Sequence, residues 1–222
     1  MIETMKRYKT YLFDFDYTLA DSSRGIVTCY RNVLVRHGFT QVSDYTIKRT
    51  IGKTLEDSFS ILTSETNADI LQQYKREYVK EADVHMTKNT FLFPETVEVL
   101  LELKRRGAYI GIISTKYRYR IMELLKEKLP DGVLDIIIGG EDVSAPKPSP
   151  QGLLSAIGRL KTEKSSVLYA GDSLVDAETA RNAGVDFMAI LHGMTTREEF
   201  APYSCVAISE DLRNLLMPSL NN

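Results

Sequence analysis

Short apolar runs alternate with helical patterns along most of the chain. Five runs are largely apolar and of strand length, and they lie at residues 8–15, 109–114, 134–139, 166–170 and 185–190. One helical segment between them opens near Pro94 and stops at Gly107, and another begins with Ser149 as N-cap and Pro150 in the first helical position. This alternation predicts an α/β fold: a doubly wound, mostly parallel sheet with helices on both faces.

Residues 20–88 have a different pattern. They carry amphipathic helical periodicity, interrupted at capping and turn residues such as Ser43 and Gly52, and no convincing strand. We therefore predict a helical domain at 20–88, inserted into an α/β core that comprises 1–19 and 89–222.

Composition and charge exclude several functional classes. The 222 residues are 43% hydrophobic, which is enough for a substantial core, and the net charge is -2. A pI near 6.0 and a mean hydropathy of -0.19 argue against a general nucleic-acid binder and against a membrane span. No apolar segment precedes the first strand, and Cys29 and Cys205 lie outside any C-x-x-C spacing. We therefore expect a cytoplasmic protein with free thiols and with neither membrane nor nucleic-acid partners.

Polar residues follow four of the predicted strands. Asp14 and Asp16 come at the end of the first, Ser114 at the end of the second, and Asp172 after the fourth, while Lys147 lies a short loop beyond the third. Because ligands of open α/β sheets bind outside the carboxyl ends of the strands, we expect these side chains to meet at one edge. A buried pair of carboxylates also requires a cation, a hydrogen-bond network or a reaction.

Each of these residues also has a purely structural interpretation. Acidic residues are common enough in this chain to make a D-x-D spacing weak evidence by itself. Ser173 and Asp176 fit a helix capping box, which leaves Asp172 unexplained. A lone loop lysine such as Lys147 is usually a solvated charge, although its flanking prolines would hold the backbone stiff.

Taken together, the four segments resemble the haloacid dehalogenase-like (HAD) hydrolase superfamily, in particular its phosphoglycolate phosphatase-like members with a helical cap. The order and spacing of the motifs agree, and the insertion lies where this family places its cap. Tyr17 departs from the pattern, since many phosphatase members have glycine there. The matching residues are Asp14, Asp16, Thr18, Ser114, Lys147, Gly171, Asp172 and Asp176.

The resemblance implies a Mg²⁺ site and a nucleophile. Asp14 would supply the attacking oxygen and one metal ligand, Asp16 would offer its backbone carbonyl to the metal, and Asp172 would add a second carboxylate, as suits a hard cation. The Asp16 side chain would act as general acid and then as general base. Side chains at i and i+2 of an extended segment point to the same side, so both aspartates can face one substrate.

The remaining residues would hold the phosphoryl group or support the site. Ser114, Thr115 and Lys147 are expected to bind phosphoryl oxygens, and Lys147 also restrains the nucleophile. Thr18 and Asp176 are expected to stand behind the reacting groups, with Asp176 bracing Lys147 or a metal-bound water.

The implied function is Mg²⁺-dependent hydrolysis of a small phosphate monoester through an aspartyl-phosphate intermediate. A phosphotransferase, a phosphomutase or a pyrophosphatase of the same superfamily is the alternative. A receiver-like phosphorylation switch is less favoured, because a receiver is shorter and carries its phosphoacceptor on a middle strand. The segment 114–120 ("STKYRYR") alternates basic and aromatic residues, as a nucleic-acid binder can, but it is better interpreted as a helix start with Lys116 near the phosphate site.

The stretch 50–58 ("TIGKTLEDS") resembles the substrate-specificity loop of the family's cap. Gly52 permits a tight turn and Thr54 can cap the next helix together with Asp57. Lys53 at this turn is expected to contact the leaving group of the substrate, with a solvated surface charge as the alternative.

Overall fold

The computed structural model describes residues 6–217, which form eight strands and eight α-helices. The strands are β1 (Thr10–Phe13), β2 (Ala20–Asp21), β3 (Phe91–Leu92), β4 (Tyr109–Ile113), β5 (Ile136–Ile138), β6 (Val167–Gly171), β7 (Asp186–Ile190) and β8 (Ala207–Ser209). The helices are α1 (Ser23–Arg36), α2 (Asp44–Lys48), α3 (Leu55–Thr63), α4 (Ala68–His85), α5 (Thr96–Arg105), α6 (Arg118–Leu125), α7 (Gln151–Leu160) and α8 (Leu174–Ala183). Short 3₁₀ helices lie at Thr87–Asn89, Gly140–Asp142, Lys164–Ser166 and Leu212–Leu216.

Six strands form one sheet in the order β5-β4-β1-β6-β7-β8, and every ladder in it is parallel. The predicted α/β fold is therefore confirmed. Strand β1 is central, since Thr10 pairs with Tyr109 of β4 on one side and with Val167 of β6 on the other. On one side of β1 the strands follow in the order β4, β5, and on the other side in the order β6, β7, β8. The carboxyl end of β1 is thus the topological switch point, where α/β sheets bind ligands.

Helices cover both faces of this sheet, each over its own hydrophobic cluster. On one face the buried side chains come from α5, α6 and the 3₁₀ helix Leu212–Leu216, with Leu100 and Ile121 fully buried. On the other face they come from α7 and α8, with Leu153 and Ala180 fully buried. Complete burial of a leucine or isoleucine contributes about 1.5–3 kcal/mol, so the two clusters hold the sheet rigid beneath its loops.

The described chain divides into two compact units, Asp21–Phe91 and the remainder. The unit Asp21–Phe91 contains α1 to α4 and buries its own aromatic cluster. The ring centroid of Tyr30 lies 4.9 Å from that of Phe59 and 4.6 Å from that of Tyr78. Such tilted aromatic pairs add to the hydrophobic burial of a small helical unit.

The strand predictions missed three short strands. Ala20–Asp21 lies in the segment for which no strand was expected, and it pairs with Phe91–Leu92 in a two-stranded sheet. Strand β8 extends the main sheet at the edge beside β7. Two or three residues are too few for a strand period to be recognised in the sequence.

The helix boundaries agree with the predicted signals to within one or two residues. Helix α5 ends at Arg105 and Gly107 follows with a positive φ of 81°, which glycine adopts without strain. Helix α7 begins at Gln151, with Pro150 rather than Ser149 as its N-cap. Ser149 still accepts a hydrogen bond from the Gln151 N–H at 3.3 Å. Within residues 6–217, no helix is both long enough and apolar enough to cross a bilayer.

Candidate active site

The end of β1 places two carboxylates at the switch point. The Asp14 N–H donates to the Ala170 carbonyl at 2.9 Å and so continues the β1–β6 ladder. Asp14 and Asp16 are 2% and 8% exposed, and the ring of Phe15 between them is fully buried. Phe15 thus packs in a hydrophobic cluster, while the carboxylates before and after it each meet a lysine, Lys147 for Asp14 and Lys116 for Asp16.

The chain turns sharply directly after Asp16. Tyr17 has a φ of 60°, and its N–H donates to the Ala20 carbonyl at 2.7 Å. The left-handed conformation costs a residue with a Cβ roughly 1–2 kcal/mol. This turn explains why glycine is common at this position in the family that the motifs resemble. The sequence shows that Tyr17 departs from the pattern, but only the backbone shows that it is strained.

Lys147 pairs with Asp14 and Asp176. Its side chain is 5% exposed, and its Nζ lies 2.9 Å from Oδ1 of Asp14 and 2.6 Å from Oδ1 of Asp176. Burial lowers the pKa of Lys147, but the charges of Asp14 and Asp176 outweigh burial and hold this pKa above its ordinary value. The lysine is therefore a fixed positive charge between two carboxylates, and the interpretation as a solvated loop lysine is wrong.

Three buried carboxylates meet at this edge of the sheet. Asp14, Asp172 and Asp176 each place an oxygen within 4.8 Å of the others. Burial raises the pKa of Asp172 well above its usual value, and the neighbouring charges of Asp176 and Asp14 raise it further. Burial likewise raises the pKa of Asp14 to about 7, against the opposing effect of Lys147. Such a set of crowded oxygen ligands fits a hard divalent cation, which would offset this repulsion.

Glycines allow the backbone to approach this cluster. A Cβ at Gly193, in the loop after β7, would lie 2.0 Å from Oδ2 of Asp172. A Cβ at Gly171 would lie 2.5 Å from Cβ of Asp176. Gly171 therefore belongs to the G-D-x-x-x-D pattern for a steric reason, and Gly193 is a site residue that the sequence analysis missed. Thr18 supports Asp172 from another side, because its Oγ1 donates to Oδ1 of Asp172 at 3.3 Å.

Asp176 both caps its helix and contacts the site. Its Oδ2 accepts from the N–H of Ser173 at 3.2 Å, and the Ser173 Oγ accepts from the Asp176 N–H, which completes the capping box. Its Oδ1 accepts from Lys147 and, at 2.8 Å, from the phenol of Tyr169. The two interpretations of Asp176 therefore apply together, because each carboxylate oxygen takes one role.

Tyr169 is a further residue that the sequence analysis missed. It is fully buried in β6, and its hydroxyl lies 3.3 Å from Nζ of Lys147 as well as beside Asp176. Burial raises the pKa of Tyr169 well above its usual value, so the phenol is protonated and donates to Asp176. The sequence did contain a signal for this role: Tyr169 lies inside an apolar run, and a tyrosine hydroxyl that is buried there requires a hydrogen-bond partner.

Ser114 and Thr115 follow β4 on the other side of β1. Ser114 is 6% exposed, and its N–H donates to the Ile138 carbonyl at 3.0 Å. Both residues line a cleft together with Gly139, Pro146 and Lys147. Ser114 and Thr115 therefore lie in the same cleft as Lys147.

Lys116 pairs with Asp16. Its Nζ lies 2.9 Å from Oδ1 of Asp16, and its side chain is 7% exposed. The sequence analysis placed Lys116 near the site but did not find this ion pair, because the two residues are 100 positions apart in the chain.

Lys53 lies in the helical unit, in the turn before α3. Gly52 has a φ of 95°, and Thr54 Oγ1 accepts from the Asp57 N–H at 3.1 Å, so the predicted turn and cap are present. The Lys53 N–H donates to the Thr50 carbonyl at 3.1 Å. The contact of Lys53 with a substrate stays a prediction.

The comparisons with known proteins agree with this geometry. The family model for haloacid dehalogenase-like hydrolases matches residues 11–190. A crystal structure from Bacteroides fragilis, described only as haloacid dehalogenase-like hydrolase, is 59% identical, with a TM-score of 0.93 and coverage of 95% of this chain and 100% of that one.

Two curated relatives carry more specific names. Pyrophosphatase PpaX of Bacillus velezensis is 27% identical over 96% of this chain and 97% of its own. A phosphoglycolate phosphatase of Nitrosospira multiformis is 26% identical over 92% of each chain. Since the family model covers residues 11–190, from within β1 to the end of β7, and with them every motif residue at the sheet edge, the chain belongs to the haloacid dehalogenase-like hydrolase family.

Proposed function

We propose that this HAD-family phosphatase hydrolyses a small phosphate monoester with Mg²⁺, through a phosphoryl group carried transiently by Asp14. The observation that carries the proposal is the buried contact between Asp14 and Lys147 at the switch point of the sheet. A phosphate ester repels an anionic nucleophile, so a site that attacks it must supply positive charge beside the attacking oxygen.

In the first step, an Asp14 oxygen attacks phosphorus while the bond from phosphorus to the leaving oxygen breaks. Lys147 balances charge on the phosphoryl oxygens, and Ser114 and Thr115 hold these oxygens by hydrogen bonds. Asp16 gives its proton to the leaving oxygen. The alcohol departs, and Asp14 holds the phosphoryl group as an acyl phosphate.

In the second step, water attacks the phosphorus of the acyl phosphate and loses a proton to Asp16. The bond between phosphorus and the Asp14 oxygen breaks, inorganic phosphate leaves, and Asp14 is again a carboxylate. Asp16 can serve first as acid and then as base, because the proton that it gives to the leaving oxygen is replaced by the proton that it takes from the attacking water.

The metal would be held by carboxylates of Asp14 and Asp172 and by the backbone carbonyl of Asp16. When bound, Mg²⁺ supplies positive charge to the phosphoryl oxygens. Asp176 belongs to the same acidic cluster, but its oxygens already accept from Lys147, Tyr169 and Ser173. We therefore assign Asp176 to holding Lys147, and Thr18 to holding Asp172.

The substrate class follows from the relatives' names and remains within small phosphorylated compounds. Phosphoglycolate is the first candidate, and pyrophosphate is the alternative that the pyrophosphatase relatives support. We further propose that the helical unit acts as a cap and that Lys53 contributes to recognising the leaving group. Transfer of the phosphoryl group to a sugar would yield a phosphorylated sugar instead of free phosphate. A receiver-like switch would show a single turnover instead of sustained phosphate release.

The deciding experiment measures phosphate release from a panel of phosphate esters with and without Mg²⁺, for the wild type and for Asp14→Asn. We expect Mg²⁺-dependent turnover in the wild type and a loss of at least about 10³-fold in Asp14→Asn, given what single preorganised groups contribute. The exposed residue Asp131 offers a matched control, Asp131→Asn, which should retain full activity. Activity of Asp14→Asn within tenfold of the wild type would exclude Asp14 as the nucleophile.

A further inference from the structure

Lys116 is built into the protein as a buried positive charge. Its side chain is only 7% exposed, and its Nζ lies 5.9 Å from the centre of the Phe15 ring. Its backbone is held at both ends, because its N–H donates to Ser114 Oγ at 3.2 Å and its carbonyl accepts from the Gly140 N–H at 3.1 Å. A lysine in this setting is not a mobile surface charge, since burying an ammonium requires compensation.

The two buried lysines of the site differ in how many carboxylates balance their positive charge. Lys147 contacts two carboxylates, Asp14 and Asp176. Within residues 6–217, the carboxylate paired with Lys116 is Asp16 alone. An ammonium has three N–H donors, so one ion pair leaves Lys116 capacity to bind a further anion.

We propose that Lys116 binds an anionic group on the leaving side of the substrate and so selects esters whose leaving group carries a carboxylate or a second phosphate. The inference rests on the proposed function, in which Asp16 gives its proton to the leaving oxygen. A general acid lies about 3 Å from the atom that it protonates, which places that oxygen within roughly 6–8 Å of the Lys116 Nζ. A carboxylate two bonds beyond the leaving oxygen can span the remaining distance.

This role separates Lys116 from the residues that hold the transferred phosphoryl group. Lys147, Ser114 and Thr115 act on the group common to all phosphate esters, so they cannot distinguish one leaving group from another. Lys116 lies beside the acid instead of beside the nucleophile. Its charge therefore acts on the part of the substrate that differs between esters.

The experiment compares kcat/KM for phosphoglycolate, pyrophosphate and 2-hydroxyethyl phosphate. The third ester replaces the carboxylate of phosphoglycolate by a neutral CH₂OH group and is otherwise matched to it. In Lys116→Met, kcat/KM for at least one anionic ester should fall about 10-fold or more beyond any fall for 2-hydroxyethyl phosphate, the loss of a charge-assisted hydrogen bond. The ester that shows the loss tells whether the carboxylate or the second phosphate is the partner.

Two further variants complete the test. Lys116→Arg keeps the charge and should recover part of the preference, while Lys126→Met, at an exposed lysine of the same segment, should change nothing. If Lys116→Met does not fold, Lys116→Gln carries the same comparison.

An equal fall in kcat/KM for all three esters would show that Lys116 acts only on Asp16, and unchanged kcat/KM values would also overturn the inference. Absence of turnover in the wild type for every ester would instead overturn the proposed function.

Discussion

Asp176 illustrates how one carboxylate can meet a local and a long-range requirement. Its position three residues after Ser173 makes it a helix cap, and this role is readable from the sequence. Its other oxygen accepts from Lys147 and Tyr169, which reach it only after the sheet has formed. The cap fixes the orientation of the carboxylate, and the carboxylate in turn fixes Lys147 beside Asp14.

Asp16 is the residue whose chemistry can be isolated most directly. In the proposed mechanism Asp16 accepts the proton of the hydrolytic water, so in Asp16→Asn the breakdown of an acyl phosphate on Asp14 should slow by about 10²–10⁴-fold. With a substrate that has a good leaving group, the phosphorylated protein should accumulate.

An acid-quenched mass spectrum of Asp16→Asn during turnover measures this adduct. The double variant Asp14→Asn, Asp16→Asn is the control, since it lacks the nucleophile and should show no added phosphate. Unchanged hydrolysis and no adduct in the single variant would remove Asp16 from the acid–base role.

At the scale of elements, α1 and α4 of the helical unit are joined by a compact ion-pair network. Arg36, in the last turn of α1, places its guanidinium nitrogens 2.6 Å from Glu77 and 2.6 Å from Glu81. His37 adds a contact to Glu77 at 3.0 Å. Partial burial raises the pKa of Glu77, but hydrogen bonds from Arg36 and Gln73 outweigh it and hold this pKa at about 2.

This network predicts an acid-sensitive contribution to stability. A carboxylate whose pKa is lower in the folded state stabilises the fold fully above its unfolded pKa, and the stabilisation is lost as pH falls toward about 2. Because these side chains are partly exposed, we expect Glu77→Gln to lower the free energy of unfolding at pH 7 by about 1 kcal/mol.

Denaturant unfolding at several pH values checks this expectation. The difference between wild type and Glu77→Gln should shrink below pH 4.5, the ordinary pKa of the group, and disappear only below about pH 2. Glu127→Gln, at an exposed residue, is the matched control and should show no such dependence. A difference that stayed constant with pH would mean that the ion pairs do not carry the effect.

At the scale of the whole molecule, the strand order assembles the site. Asp14 follows β1, Asp172 follows β6, and Lys147 comes from the loop between β5 and α7. Parallel strands bring their carboxyl ends to one edge, so residues more than 150 positions apart become neighbours there. The same edge brings buried carboxylates together, and burial strengthens the repulsion between them. A cation bound among these carboxylates would relieve the repulsion and so stabilise the fold.

We therefore expect Mg²⁺ to stabilise the wild type without any substrate. At a Mg²⁺ concentration of about 100 times the dissociation constant, the free energy of unfolding should rise by about 2.7 kcal/mol. Asp172→Asn should lose this increase. In EDTA the variant should be at least as stable as the wild type, because a buried like charge has been removed.

Thermal unfolding with Mg²⁺ and with EDTA provides the measurement, and Asp131→Asn should behave as the wild type. A Mg²⁺ response that survives in Asp172→Asn would place the metal away from this cluster.

Much of the fold and part of the site could be predicted from the sequence alone. Apolar runs that alternate with amphipathic segments indicate a parallel sheet, because the apolar runs suit strands buried on both faces and the amphipathic segments suit helices that cover those faces. The D-x-D at the end of β1 and the capping residues Ser173 and Thr54 are likewise local, since they act on residues at most three positions away. Local chemistry of this kind is present before any tertiary contact forms.

Only the tertiary structure decided which of these groups meet. The position of β1 at the centre of the sheet, the pairing of Lys116 with Asp16, and the phenol of Tyr169 beside Lys147 each join segments that the sequence leaves unrelated. The strain at Tyr17 and the approach of Gly193 to Asp172 are also invisible until the backbone is folded. The physical reason is that such contacts depend on strand order and close packing, whereas a sequence pattern reports only the preferences of neighbouring residues.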